Sequence, residues 1–190
     1  MLLFRASPPA GWLDRTLARL PAVLVDHAHL ERKAATTALS LEKYPDLFGR
    51  LDELNAIAIE ELQHFQLVLA LLKRRGIPFG CAQPSPWITG LMRSLRHGTR
   101  PQVIDHLIVC ALIEGRSCEK FQWLAAGLRD RDPELADFYA GLVESEGNHY
   151  AAYLIMARHI DLAETERRLD FYLDLDAELV ARPHDHPVLH

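Results

Sequence analysis

"IEELQHF", residues 59–65, decides the reading of this chain. It puts Glu61 and His64 three positions apart, between Ile57 and Val68 on the same side of a helical repeat. Side chains three and four residues apart share one face of an α-helix. A carboxylate and an imidazole are therefore turned toward the apolar side. A second stretch, "ESEGNHY" at 144–150, repeats the arrangement with Glu146 and His149. Each pair follows another glutamate on an apolar stripe. Glu31 precedes Glu61 by 30 residues, and Glu114 precedes Glu146 by 32.

The stripes are regular. Leu24, Ala28, Glu31, Ala35 and Ala38 follow helical spacing, as do Leu54, Ile57, Glu61, His64, Val68 and Leu71. So do Leu107, Cys110, Glu114, Cys118 and Phe121, and then Tyr139, Leu142, Glu146, His149, Tyr153 and Met156. Four such helices want one common core. Strand signals are sparse and do not alternate.

Breakers divide the chain. A short helix is expected over 12–19 and a long one from Pro21 to Tyr44, stopped by Pro45. Asp46 is expected to cap a second long helix that ends before Gly76. The connection "GIPFGCAQPSPWITG" is long, with one short helix over 86–95. Thr99 is expected to cap a third long helix to Leu128, with Pro101 in its first turn. Asp132-Pro133-Glu134 starts a fourth, to His159. Asp161 and Glu164 resemble a capping box opening a last helix to about Leu179. Short links within each hairpin and a long link between hairpins predict an all-α, ferritin-like four-helix bundle with one long crossover. One domain is expected over 1–190, with its core at about 21–160, a C-terminal helix at about 162–180 and a frayed tail over 181–190.

Composition fits an ordinary globular chain: 190 residues, 49% hydrophobic and 25% charged, with a formal net charge of −5. That balance argues against a polyanion binder in bulk but allows local basic patches. Cys81, Cys110 and Cys118 form no disulfide framework and no CxxC pair, which suits a reducing, cytoplasmic setting. The start "MLLFRASPPAGWL" is too short an apolar run for a signal peptide. No window reaches the ~20 apolar residues of a membrane span.

Four glutamates inside an apolar core would repel one another, and each ionised carboxylate buried alone costs several kcal/mol. A pair of cations about 3.5–4 Å apart resolves the conflict. One Glu from each of two helices, with Glu-x-x-His from each of the other two, is the ligand set of di-iron carboxylate bundles. The predicted ligands are Glu31, Glu61, His64, Glu114, Glu146 and His149, around two iron ions bridged by carboxylates. Mixed oxygen and nitrogen donors suit iron or manganese.

Glu60, Glu119 and Glu144 are out of phase with the stripes and are read as solvated or as outer partners of the ligands. Asp26, Asp105 and Asn148 are candidates for orienting the ligand histidines. His27 and His29 are read as pointing off the stripe. Tyr139, Tyr150 and Tyr153, like Cys110 and Cys118, are read first as core residues.

Two Glu-x-x-His pairs favour dioxygen-activating oxidases and hydroxylases over iron storage. The alternative is a di-iron peroxidase or iron-handling protein with no nucleic-acid substrate. The stretches "DHAHLERKAA" (26–35), "EELQHFQLV" (60–68), "LIEGRSCEKFQWLA" (112–125) and "ESEGNHYAAYLIMA" (144–157) resemble the MiaE family of tRNA hydroxylases, over about residues 10–180. Gly115 departs from the alanine expected there. The resemblance implies hydroxylation of the isopentenyl group of 2-methylthio-isopentenyl-adenosine beside the tRNA anticodon. It implies dioxygen and an electron-donor protein as partners, and it puts the ligands on the same six residues. Basic residues at two helix ends, Lys73, Arg74 and Arg75 with Arg129 and Arg131, are predicted to contact tRNA phosphates. Trp87 and Phe79, in the long connection, are candidates for covering the pocket or stacking on the anticodon loop, with ordinary packing of the connection as the equal alternative.

Overall fold

The computed structural model describes residues 4–182 and 188–190. All regular structure among the described residues is helical: α1 (Trp12–Ala18), α2 (Leu20–Leu41), a 3-10 turn (Pro45–Arg50), α3 (Leu51–Arg74), α4 (Pro86–Arg93), α5 (Thr99–Leu128), α6 (Pro133–Ile160) and α7 (Leu162–Val180). No helix among them is long and apolar enough to cross a membrane. The chain divides into two compact units, one of residues 15–85 with 188 and 189, the other of residues 4–14, 86–182 and 190.

The first unit is the hairpin of α2 and α3. Val23, Leu24, Ala28, Ala35, Ala38 and Leu41 form the buried stripe of α2, and Leu54, Ile57, Val68, Leu71 and Leu72 that of α3. Between the helices the sequence reading needs correction. Tyr44 is extended, as the residue before a proline tends to be, and Pro45–Arg50 winds as a 3-10 turn. α3 starts only at Leu51, after Arg50 breaks the geometry with φ −125° and ψ 13° and no side-chain cap. Asp46 therefore sits in the turn and caps nothing.

The expected frayed tail falls partly on 183–187, outside the described residues. Val188, Leu189 and His190 are buried instead of exposed. In the first unit the Leu189 N–H donates to Asp26 Oδ2 at 2.7 Å. Burial pushes the Asp26 carboxyl up, against the pull of that N–H.

The second unit is built on α5, against which α6 and α7 both pack. That double contact explains why α5 is buried on most sides, from Val103 and Ile104 through Leu107, Ile108 and Leu112 to Leu124 and Leu128. Gly98, at φ +94°, supplies the N-cap of α5, a backbone position that favours glycine. Thr99 is consequently the first helical residue and not the cap. The other two starts match expectation. Asp132 accepts from Leu135 N at 3.2 Å, and Asp161 accepts from Glu164 N at 3.0 Å. The return bond of a capping box is absent at α7, because Asp161 N donates to Ala157 O.

α7 is tied to α5 by charge. Asp105 is fully enclosed and accepts from Arg168 Nε at 2.8 Å and Nη2 at 2.9 Å. The Arg96 side chain and backbone N–H complete its shell. Asp105 is thus spent on this clamp, which corrects the expectation that it orients a ligand histidine. Burial works to raise its pKa, but Arg96 and Arg168 outweigh burial and hold the carboxyl below the ordinary range. A depressed carboxyl stabilises the fold above its unfolded pKa of ~3.9 and loses that contribution as pH falls through the folded value. Asp105→Ala should cost about 3–5 kcal/mol in urea unfolding at neutral pH, as the buried Arg168 guanidinium and the half-buried Arg96 lose their shared anion. The penalty should shrink below about pH 4. A penalty that stays constant down to low pH would contradict the clamp.

Candidate metal centre

Helical spacing puts one ligand cluster in each unit. In the first, α2 contributes Glu31, and α3 contributes Glu61 and His64 one turn apart. Each offers one ligand atom, and these lie within 4.8 Å of one another. His64 Nδ1 is 3.5 Å from Glu31 Oε2 and 4.0 Å from Glu61 Oε2. All three are buried, at 4%, 1% and 6% exposure. In the second unit α5 contributes Glu114, and α6 contributes Glu146 and His149. Their ligand atoms also lie within 4.8 Å of one another, at 4%, 2% and 3% exposure.

These residues fit a metal ion. Donor atoms bonded to one transition-metal ion at about 2.0–2.2 Å lie at most about 4.4 Å apart. The 3.5 and 4.0 Å separations around His64 fall within that reach and are too long for good hydrogen bonds. Two carboxylates beside one imidazole, out of water, make a hard, mixed oxygen and nitrogen donor set. Without a cation the paired carboxylates would repel at low dielectric. The buried Glu/His clusters are thus a metal-binding arrangement.

One residue placed off the stripe belongs on it. His27 is wholly buried, and its Nε2 lies 2.5 Å from Glu31 Oε1. The i, i+4 relation to Glu31 is the signal that could have found it. Burial works to raise the Glu31 pKa, yet His27, aided by His64 and Glu61, outweighs burial and draws it well below the carboxylate range. His29 does point away, donating to Gly80 O at 2.6 Å and stacking on Phe79 at 4.6 Å between ring centroids.

The remaining candidates divide. Glu60, Glu144 and Asn148 are exposed, so Asn148 orients no ligand. Glu119 accepts from Arg116 at 2.6 Å. Asp26 is engaged by Leu189, as described above. Tyr139 packs on Phe121 at 5.1 Å between centroids. Cys110 and Cys118 are free and buried, and burial, with Glu114 beside Cys110, pushes the Cys110 thiol up. Trp87 is buried and donates to Asp176 Oδ1 at 3.0 Å, so it packs in the core of its unit and is not exposed to stack on a base. At Gly115 a Cβ would meet Phe4 and Tyr150 at 2.9 Å, which explains why glycine replaces the expected alanine. Lys73 and Arg74 are exposed at the end of α3, and Arg75 is half-buried. Arg129 and Arg131 are exposed beyond α5, with Arg129 bonded to Asp137 at 2.5 Å.

Known proteins resemble the whole chain. The family model described as tRNA-(MS[2]IO[6]A)-hydroxylase (MiaE) matches residues 2–190. A tRNA 2-(methylsulfanyl)-N(6)-isopentenyladenosine(37) hydroxylase of Pseudomonas putida is 38% identical over 177 residues, spanning 92% of this chain and 85% of that one. Its namesake in Salmonella typhimurium is 30% identical over 225 aligned residues, spanning 92% and 82%. Among solved structures, "Protein 43 with aldehyde deformylating oxygenase activity from Synechococcus" superposes with a TM-score of 0.89 at 30% identity, over 100% of this chain and 96% of that one. That neighbour has the ferritin-like di-iron fold, which bears out the fold class read from the helix pattern. With both Glu-x-x-His motifs buried beside a partner glutamate, and a family match from end to end, the chain belongs to the MiaE family of tRNA hydroxylases.

Proposed function

We propose that this chain is a di-iron monooxygenase acting on tRNA, and that it hydroxylates the isopentenyl group of 2-methylthio-N6-isopentenyladenosine on the 3′ side of the anticodon. The observation that carries the reading is a buried Glu plus Glu-x-x-His cluster in each unit, in a chain 38% identical to a hydroxylase of that nucleoside. Glu31, Glu61, His64, Glu114, Glu146 and His149 are the residues that would hold the two iron ions, and the chain is read as one ferritin-like domain. When bound, the irons supply reduction of dioxygen: two electrons and two protons are consumed, one oxygen atom becomes the substrate hydroxyl and the other leaves as water.

The chain's own side chains do the rest. The four glutamates supply the negative charge that balances the cations, and the two histidines supply neutral nitrogen donors. Leu24, Ala28 and Ala35 in the first unit, and Leu107, Leu142 and Met156 in the second, flank the ligands along their helices and are buried. Their apolar surface keeps water from the ligand oxygens, which strengthens the electrostatic hold on the metals. Electrons come from a separate reductase protein, and the setting is the cytoplasm, where tRNA is.

Lys73, Arg74, Arg75, Arg129 and Arg131 are the proposed phosphate contacts. Combining Lys73→Glu with Arg131→Glu should weaken tRNA binding at low salt and reduce the slope of log K against log salt by about 1 per lost contact. An unchanged slope would remove these residues from the interface.

The function itself is tested on nucleosides. tRNA carrying the isopentenyl nucleoside, incubated with iron-loaded protein, a reductant and dioxygen, should yield the hydroxylated nucleoside on digestion and mass analysis. Protein that holds iron and turns over dioxygen or peroxide but leaves this nucleoside unchanged would overturn the reading.

A further inference from the structure

We propose that His27 is a positioning residue for the metal centre: it holds Glu31 through one carboxylate oxygen and so leaves the other to bind metal. The inference rests on the di-iron reading and assigns a residue outside the six ligands.

The geometry lies wholly within the α2–α3 hairpin. His27 precedes Glu31 by four residues, so both side chains leave α2 on the same face. His27 has no exposed surface. Its Nε2 lies 2.5 Å from Glu31 Oε1. An ionised carboxylate only accepts, so Nε2 carries the proton and donates it. The other oxygen, Oε2, is the one that faces His64 Nδ1 at 3.5 Å. The two oxygens of Glu31 are thereby divided between a fixed protein donor and the metal side. A Glu side chain has three rotatable bonds, and without the bond to His27 it must lose that freedom when metal binds. Holding the carboxylate in advance removes that cost and favours attachment through a single oxygen. Partners of this kind are typically worth about 10–100-fold in metal affinity.

The test compares His27→Phe, which fills the space without a donor, with His27→Gln, whose amide N–H has similar reach. Metal-free protein is titrated anaerobically with Co(II), following its visible ligand-field bands, and with Fe(II) by calorimetry. Circular dichroism and thermal unfolding confirm the fold. The wild type is expected to bind two ions. His27→Phe should weaken one of the two by about 10–100-fold and alter the Co(II) bands of that ion. His27→Gln should restore affinity to within a few-fold. A folded His27→Phe variant with both affinities and both spectra as in the wild type overturns the proposal. So does a Gln variant as impaired as the Phe variant, which would mean the imidazole acts by shape or as a ligand. A wild type that binds no metal overturns the proposal together with the di-iron reading, and is distinguished by failing before any variant is compared. If His27→Phe does not fold, His27→Met, with a flexible apolar side chain, makes the same comparison.

Discussion

Glu61→Gln is expected to abolish hydroxylation while making the metal-free protein more stable. The two effects have one cause. Glu61 is 1% exposed, and its ligand atom lies within 4.8 Å of those of Glu31 and His64. In metal-free protein its charge is a liability, because a buried carboxylate then lies beside a second carboxylate with no metal ion to balance the pair. The amide keeps the volume and removes the charge, so unfolding in urea should show a gain on the order of 1–3 kcal/mol at neutral pH. Iron should then raise the unfolding temperature of the wild type and leave that of the variant nearly unchanged, since stabilisation by a ligand follows its affinity. Hydroxylated nucleoside should fall by more than about 100-fold, because even the outer partners of metal ligands are worth about 10–100-fold. A variant that loses stability in both metal-free and iron-loaded forms would show that Glu61 is a structural hydrogen-bonding group.

Asp176→Ala should be among the most damaging changes outside the metal cluster. Arg116 lies fully enclosed in the second unit and donates through Nε to Asp176 Oδ1 at 3.1 Å and through Nη2 to Asp176 Oδ2. Its remaining donors reach Ala6 O at 2.8 Å and Glu119 at 2.6 Å, and the Phe4 ring centroid lies 3.8 Å from its guanidinium carbon. Trp87 Nε1 donates to the same aspartate. Removing Asp176 takes two of the bonds from a buried guanidinium, leaving it Glu119 and Ala6 O, and strands an indole N–H at once. The expected loss is about 3–5 kcal/mol, or roughly 6–20 °C in unfolding temperature for a chain of this size. Arg116→Met combined with Asp176→Leu should recover much of that loss, because apolar side chains can replace a buried pair with little cost. A double variant as unstable as Asp176→Ala would mean that the packing around Phe4 and Trp87, and not the charge pair, holds this part of the unit together.

The six proposed ligands were legible because helical spacing converts directly into a face, and a charged residue on an apolar face needs an explanation. The same rule identified the buried stripes of α2 and α3. His27 was legible by that rule too, through its four-residue step to Glu31. It escaped because neighbouring Ala28 already occupied the stripe, and a helix face is wide enough for both. What the sequence could not disclose depends on partners distant along the chain. Asp105 looks equally able to serve a histidine or an arginine until α7 brings Arg168 to it, 63 residues away. Asp26 is claimed by Leu189, 163 residues away, and that contact draws residues 188 and 189 out of the frayed end that their polar, proline-containing neighbourhood suggested. Asp46 resembles a helix cap in every local respect, yet the chain takes a 3-10 turn first and begins α3 five residues later. Trp87, in the short helix of the long connection, reads as a candidate for stacking on a base until Asp176 gives its indole N–H a buried partner.

The most direct measurement is native mass spectrometry of the wild-type chain and the Glu61→Gln and Glu146→Gln variants, each loaded anaerobically with Fe(II) and exchanged into volatile buffer. Two irons per wild-type chain are predicted, with fewer than two in each variant. No iron, a single iron, or two irons retained in both variants would contradict a dinuclear centre held by these glutamates.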